Sequence, residues 1–259
     1  MNTFTELLGK LVNKNQETKE NMNSQGFSER IRRLLKMEKE FEHVRNEDVL
    51  SAILQSDLQN VQMTMEQIDR HAFQMAVEMI LQAKHIYIVG IRSCEPLAGF
   101  LGFYLNMIFD NVRLIQTNSA SEMLEQIIRI QDEDVMIGIS FPRYSMRTLK
   151  AMEFANLRSA KVIAITDSIH SPINLYSSCN LIAKSEMSSI VESLTAPLSV
   201  INALIVSLCL KRQNELQLYL NTLEETWDEY QIYNGDEINP VDDHIEIYHS
   251  EKEKEAADE

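Results

Sequence analysis

HIYIVGIRSCEPLAGFLGFYLNMIF, residues 85–109, changes its hydrophobic period part-way along. Residues 85–90 form a short, nearly continuous apolar run that stops at Gly90, as expected of a strand covered on both faces. From Pro96 onward the apolar residues recur at helical steps. The same change of period repeats downstream. VRLIQT (112–117), DVMIGIS (134–140), KVIAITD (161–167) and CNLIAKS (179–185) are further strand-length runs. PLAGFLGFYLNMIF, SASEMLEQIIRI and SMRTLKAMEFANL separate the first four as helical patterns. Strands that alternate with helices imply right-handed crossovers. The expected fold class is therefore α/β, a doubly wound five-stranded parallel sheet with an N-terminal helical extension.

Outside this block the pattern is helical or polar. Leu50, Ile53, Leu54, Leu58, Val61, Met65 and Ile68 recur at three- and four-residue steps, which reads as an amphipathic linker or dimerisation helix. Asp69 is placed to cap a second helix carrying Phe73, Ala76, Val77, Ile80 and Leu81. After the fifth run, Ile190 to Arg212 reads as one long buried helix, and Leu216, Leu220, Leu223 and Trp227 mark an amphipathic one. The expected division is 1–46 helical, 47–66 linker helix, 67–233 α/β domain and 234–259 acidic disordered tail.

The net charge of −15 is concentrated at one end: residues 222–259 hold 14 acids against Lys252 and Lys254, which is −12 of it. Overall acidity thus does not exclude nucleic-acid contact elsewhere, because contact with phosphates is governed by local charge. The apolar stretch Thr195 to Leu210 is shorter than the roughly 20 residues a spanning helix needs and contains Pro197 and Asn202. No membrane segment is expected. The N-terminal stretch has no continuous apolar run of the signal-peptide kind, and Cys94, Cys179 and Cys209 are widely spaced without a C-x-x-C, so a reducing cytoplasm is the expected location. His43, His71, His85, His170, His244 and His249 do not form a ligand pattern, and no metal or cofactor is expected. The 13 Met residues read as core filler.

In a doubly wound sheet, ligands bind beyond the carboxyl ends of the strands. Two loops there carry suitable chemistry. In GIRSCEP (90–96), Ser93 is placed to cap the next helix, Cys94 offers a second small donor, and Arg92 adds charge near a helix start that favours anions. Glu95 is expected to face away or to meet a hydroxyl of the ligand. In GISFPRYSMRT (138–148), Ser140 ends a strand, Ser145 can cap the following helix, and Arg143 and Arg147 are close by. Hydroxyls and guanidinium forks suit phosphate oxygens.

These motifs, taken in order, resemble a known family. VG-IRS-C, IGIS-FPRYS-RT and KVIAITDS-SP are similar to the SIS (sugar isomerase) domain of RpiR/MurR-type bacterial transcriptional regulators, from about Glu47 to Tyr233. The resemblance implies that 67–233 is a SIS domain and that Ser93, Ser140 and Ser145 hold the phosphate of a sugar phosphate. Cys94 then stands where Ser is frequent, and Asp167 and Ser168 fall in the loop after the fourth strand. It also implies that Glu192 lies in a region that closes the pocket across or beside a dimer interface. Pro142 and Arg143 replace the family's Ser-Gly pair, exchanging a hydroxyl for a cation that either supplies charge or fills the pocket. Gly26-Phe27 and SERIRRLLK fit the end of that family's helix-turn-helix domain. NKNQETKENMNSQ, where turn and recognition helix belong, lacks apolar periodicity.

Three functions follow as alternatives. The first is a regulator that binds a sugar phosphate in the SIS domain and DNA through its N-terminal region. The second is a phosphosugar isomerase, for which Glu95, Glu192 and His170 are the available acid-base groups. The third is an oligomerisation module that binds the ligand without DNA. A homodimer or homotetramer is expected in each case, since the linker helix and the long apolar helix offer more apolar surface than one small sheet can cover.

Overall fold

β1 (Ile86–Gly90), β2 (Val112–Ile115), β3 (Val135–Ile139), β4 (Lys161–Thr166) and β5 (Cys179–Ile182) pair in parallel in the order β2-β1-β3-β4-β5. The structure, a computed structural model, describes residues 48–117, 119–186 and 191–230. β1 and β3 are central, and every residue in both is buried, which is why their sequences read as unbroken apolar runs. β2 lies at an edge, and only Ile115 of its four residues is buried. Ile86 is aligned with Val112 on one side and Val135 on the other, so the first and third strands begin and end level.

Helices α3 (Glu95–Ile108), α4 (Ala120–Ile127) and α5 (Met146–Leu157) make the crossovers, while a single 3-10 turn, Pro172–Tyr176, joins β4 to β5. α1 (Asp48–Gln67) and α2 (Arg70–Gln82) precede the sheet, and α6 (Thr195–Lys211) follows it. α3 packs on β1, β2 and α6, and α2 packs on β5 and α6, forming one layer with α1. α4 and α5 form the other, against β1 to β4. Alternate strand residues serve the two layers. Tyr87, Val89, Met136, Val162 and Ala164 share one buried cluster with Met123 and Ile127 of α4 and with Ala151 and Met152 of α5.

The expected fold class holds, with shorter elements. Each strand loses one or more residues at its ends; Ser140 and Asp167 lie just beyond β3 and β4. Asp69 caps α2, its carboxylate accepting from the N–H groups of His71 at 2.8 Å and Ala72 at 3.1 Å. The long helix expected from Ile190 begins instead at Thr195, and Glu192 and Ser193 precede it, bonded through their side chains to Ser93 and Asp57. α7 (Gln213–Glu229) carries Leu216, Leu220, Leu223 and Trp227, and from Asn214 on it belongs to a second unit. No single helix among the described residues is long and apolar enough to cross a membrane. The expected segments 1–46 and 234–259 lie outside the described residues, as do Gly26, Phe27, His43, His244 and His249.

Candidate functional site

Chain order reverses between β1 and β3: the chain leaves β1 for β2 on one side and returns to β3 on the other. The loops after β1 and β3 therefore diverge from adjacent strands, opening a crevice where doubly wound sheets bind ligands. Both predicted loops meet there.

After Gly90 the chain stays extended through Ile91 and turns at Arg92, whose φ of 63° is left-handed. Arg92–Cys94 form a 3-10 turn that runs into α3, with Pro96 in the first helical turn. Gly90 is needed for close approach: a Cβ there would stand 2.6 Å from the backbone oxygen of Cys94. After β3, Ser140 and Phe141 are buried, and Arg143 takes a φ of 67°, also left-handed. Ser145 caps α5 by accepting from the Thr148 N–H at 3.4 Å. Its own N–H donates to the Ser140 Oγ at 3.1 Å, tying the ends of the loop together.

Arg92, Ser93, Cys94, Ser140, Arg143, Ser145 and Glu192 line one cavity of about 140 Å³, with Ile91, Phe141 and Pro142 completing the wall. Seven of the nine site residues expected from sequence thus come together. Glu192, only 8% exposed, reaches in from the segment before α6 and accepts from the Ser93 hydroxyl at 2.8 Å. Ser93 accordingly makes no helix cap, contrary to expectation; Cys94 holds the N-cap position of α3 without a side-chain cap bond. Burial pushes the Cys94 thiol up to about 11, so it stays protonated near neutrality. Glu95 is exposed and lies outside the cavity wall.

Asp167 and Ser168 do not line the cavity. Asp167 accepts from the Tyr144 hydroxyl at 2.9 Å and from Thr166 Oγ1 at 3.2 Å, bracing the β3 loop from β4. Burial, followed by the bond to Asp167, raises Tyr144 to about 12, which keeps it a hydrogen-bond donor. The Ser168 hydroxyl accepts from the His170 N–H at 3.1 Å and so shapes its own turn. Sequence reasoning missed the Tyr144 brace. The signal was a Tyr between two functional-looking residues, but nothing in the sequence places Asp167 opposite it.

The cavity combines three hydroxyls, two guanidinium-bearing residues and a carboxylate. It is smaller than the roughly 300–1,000 Å³ of pockets that enclose drug-sized ligands. A small anionic group fits such a space, with the rest of its molecule outside. Among the described residues no group of three or more His, Cys, Asp or Glu is placed to hold a metal ion.

Comparison with known proteins bears on the fold. The SIS domain family matches residues 79–207. No curated protein sequence matches the chain closely. The fold is similar to the sugar isomerase domain of an RpiR transcription factor from Sphaerobacter thermophilus, with 24% identity and a TM-score of 0.66 over 69% of this chain and 99% of that one. It is also similar to the Vibrio vulnificus NanR protein complexed with ManNAc-6P, with 19% identity and a TM-score of 0.61 over 76% of this chain and 75% of that one. Phosphoheptose isomerase GmhA from Neisseria gonorrhoeae shares 15% identity and a TM-score of 0.56, over 63% of this chain and 99% of that one. At these identities the likeness is one of fold. Because the family match spans the whole sheet, both cavity loops and Glu192, the chain is a SIS-domain protein.

Proposed function

We propose that this chain is a sugar-phosphate-responsive transcriptional regulator whose effector binds at the cavity between the β1 and β3 loops. The observation that carries the reading is the convergence of Ser93, Ser140 and Ser145 with Arg92 and Arg143 on one small cavity where strand order reverses. Hydroxyl and guanidinium donors match phosphate oxygens, and backbone N–H groups at the start of α3 add positive potential. The sugar then lies outside the cradle. Likeness to an RpiR transcription factor and to NanR complexed with ManNAc-6P supports a regulator. In this reading residues 1–46 are the region that contacts DNA.

The test is thermal denaturation of the full chain with a panel of aldose and ketose phosphates beside the free sugars. A ligand that binds only the native state at 100 times its Kd stabilises by about 2.7 kcal/mol. A rise in Tm with one or more phosphates and none with the matching free sugars is expected; no rise with any phosphate overturns the site. Gel retardation of DNA fragments from the chain's own upstream region, with and without the phosphate found, tests the regulator.

Isomerisation is the second reading, favoured by one observation: Glu192 brings a carboxylate to the cavity wall. A carboxylate can carry a proton between adjacent sugar carbons. Interconversion of aldose and ketose phosphates, followed by NMR and abolished in Glu192→Gln, would establish it.

A further inference from the structure

The segment carrying Glu192 is held from two sides. On one side is α1. Thr64 Oγ1 accepts from the Lys184 N–H at 2.8 Å, and Asn60 makes a paired bond to the backbone of Glu186, donating at 3.1 Å and accepting at 2.9 Å. Three residues further back on α1, Asp57 accepts from the Ser193 hydroxyl at 2.6 Å and from the Thr195 hydroxyl at 3.0 Å. The Ser185 hydroxyl donates to the Ser193 oxygen at 2.7 Å, so both stretches are joined to each other as well as to α1. On the other side is the cradle, where the buried Glu192 carboxylate accepts from Ser93 at 2.8 Å.

A carboxylate bound to a cradle hydroxyl occupies the place of a phosphate oxygen. Ser93 has one proton to donate, so it cannot serve Glu192 and a phosphate together. Two anions within about 4 Å also repel, more strongly as the site loses water. An incoming phosphate therefore displaces Glu192. Since Ser193 and Thr195 are bonded to Asp57, displacement disturbs the attachment of α1.

We propose that Glu192 is an internal competitor for the anion cradle, and that its expulsion by phosphate loosens α1 through Asp57. The inference rests on the reading of the cradle as an anion site. It supplies that reading with a physical connection between the ligand and the helix that leads to residues 1–46. Both anchors are discrete hydrogen-bonded arrangements, as coupling between sites requires.

The experiment uses the full chain, inorganic phosphate as probe, calorimetry for affinity and hydrogen exchange for α1. Phosphate is expected to accelerate amide exchange in residues 48–67 of the parent chain, although ligand binding alone slows exchange by stabilising the native state. Glu192→Gln keeps the shape and removes the charge, and is expected to bind phosphate about tenfold more tightly. Unchanged or slower α1 exchange, with phosphate bound and weakened by Ser145→Ala, overturns the coupling and leaves the anion site standing. Weaker phosphate binding in Glu192→Gln overturns the competition. No phosphate binding by the parent or by Glu192→Gln overturns the anion site, and the competition and coupling with it.

Discussion

Arg92 and Arg143 occupy matching places, each just past a central strand, and each takes a left-handed backbone. Non-glycine residues held this way cost about 1–3 kcal/mol each and cluster at functional sites. The strain turns both loops sharply, so that serines on either side line the same wall. Arg143 also has a side-chain role under the proposed function. Its replacement by Ala keeps the backbone demand and removes the charge, whereas Gly relieves both. With a sugar phosphate shown to bind the parent, calorimetry of Arg143→Ala should show a loss of about 1.5–3 kcal/mol, against about 0.5–1.5 for Ser93→Ala. The Arg143 loss should shrink at high salt, because the residue is exposed. Tighter binding in Arg143→Ala would mean that the side chain fills the cavity. Gly90 gives a second test. Its missing Cβ faces backbone, not a movable side chain, so Gly90→Ala must shift the turn at Cys94. The expected result is a folded protein by circular dichroism with at least a tenfold loss of sugar-phosphate affinity, about 1.4 kcal/mol.

Elements were legible from sequence where one physical factor decided them. Burial on both faces made β1 and β3 visible as unbroken apolar runs, and the serine cap of α5 was readable because Ser145 stands directly before a helical pattern. The site followed, since parallel topology puts the strand-end loops on one edge. The rest depended on contacts between distant segments. Ser93 reads locally as a cap, yet it bonds to Glu192, 99 positions away. The inner face of α1 was hidden for the same reason. Its apolar stripe read as a linker or dimerisation helix, and Leu50, Leu54, Leu58 and Met65 are each at least 58% exposed, while Ile53, Val61 and Ile68 are half-buried. The docked face carries Asp57, Asn60 and Thr64, whose partners are backbone and hydroxyl groups that hydropathy does not register. Asn60 is 1% exposed and satisfies both the N–H and the oxygen of Glu186. Asn60→Ala leaves both groups without their partner and should cost about 1–3 kcal/mol in urea denaturation. Asn60→Asp keeps the acceptor but buries a carboxylate against the Glu186 carbonyl oxygen, and should cost at least as much as Asn60→Ala.

At the scale of the whole molecule, the polar docking of α1 leaves an apolar row on the outside. Leu50, Leu54 and Leu58 recur every four residues, so they lie along one side of the helix, with Met65 further on. Near its end, α1 joins α2 and α6 around an apolar groove of about 460 Å³, lined by Val61, Met65, Ile68, Phe73 and Val200. Val206 and Leu210 add exposed apolar surface on α6. A helix fixed by hydrogen bonds on its inner face gains nothing from an apolar outer face unless something covers it. A second copy of the same chain is the partner we propose, because a row of leucines along one side of a helix can pack against its own two-fold image. Light scattering at micromolar concentration is expected to give a dimer or tetramer. Leu54→Glu with Leu58→Glu places charges in the middle of that row without touching Asp57, Asn60 or Thr64. The double variant should scatter as a monomer while keeping the hydrogen-exchange protection of β1 and β3. If it keeps the parent mass, copies associate elsewhere; if the parent is itself monomeric, the row serves another partner and self-association is excluded.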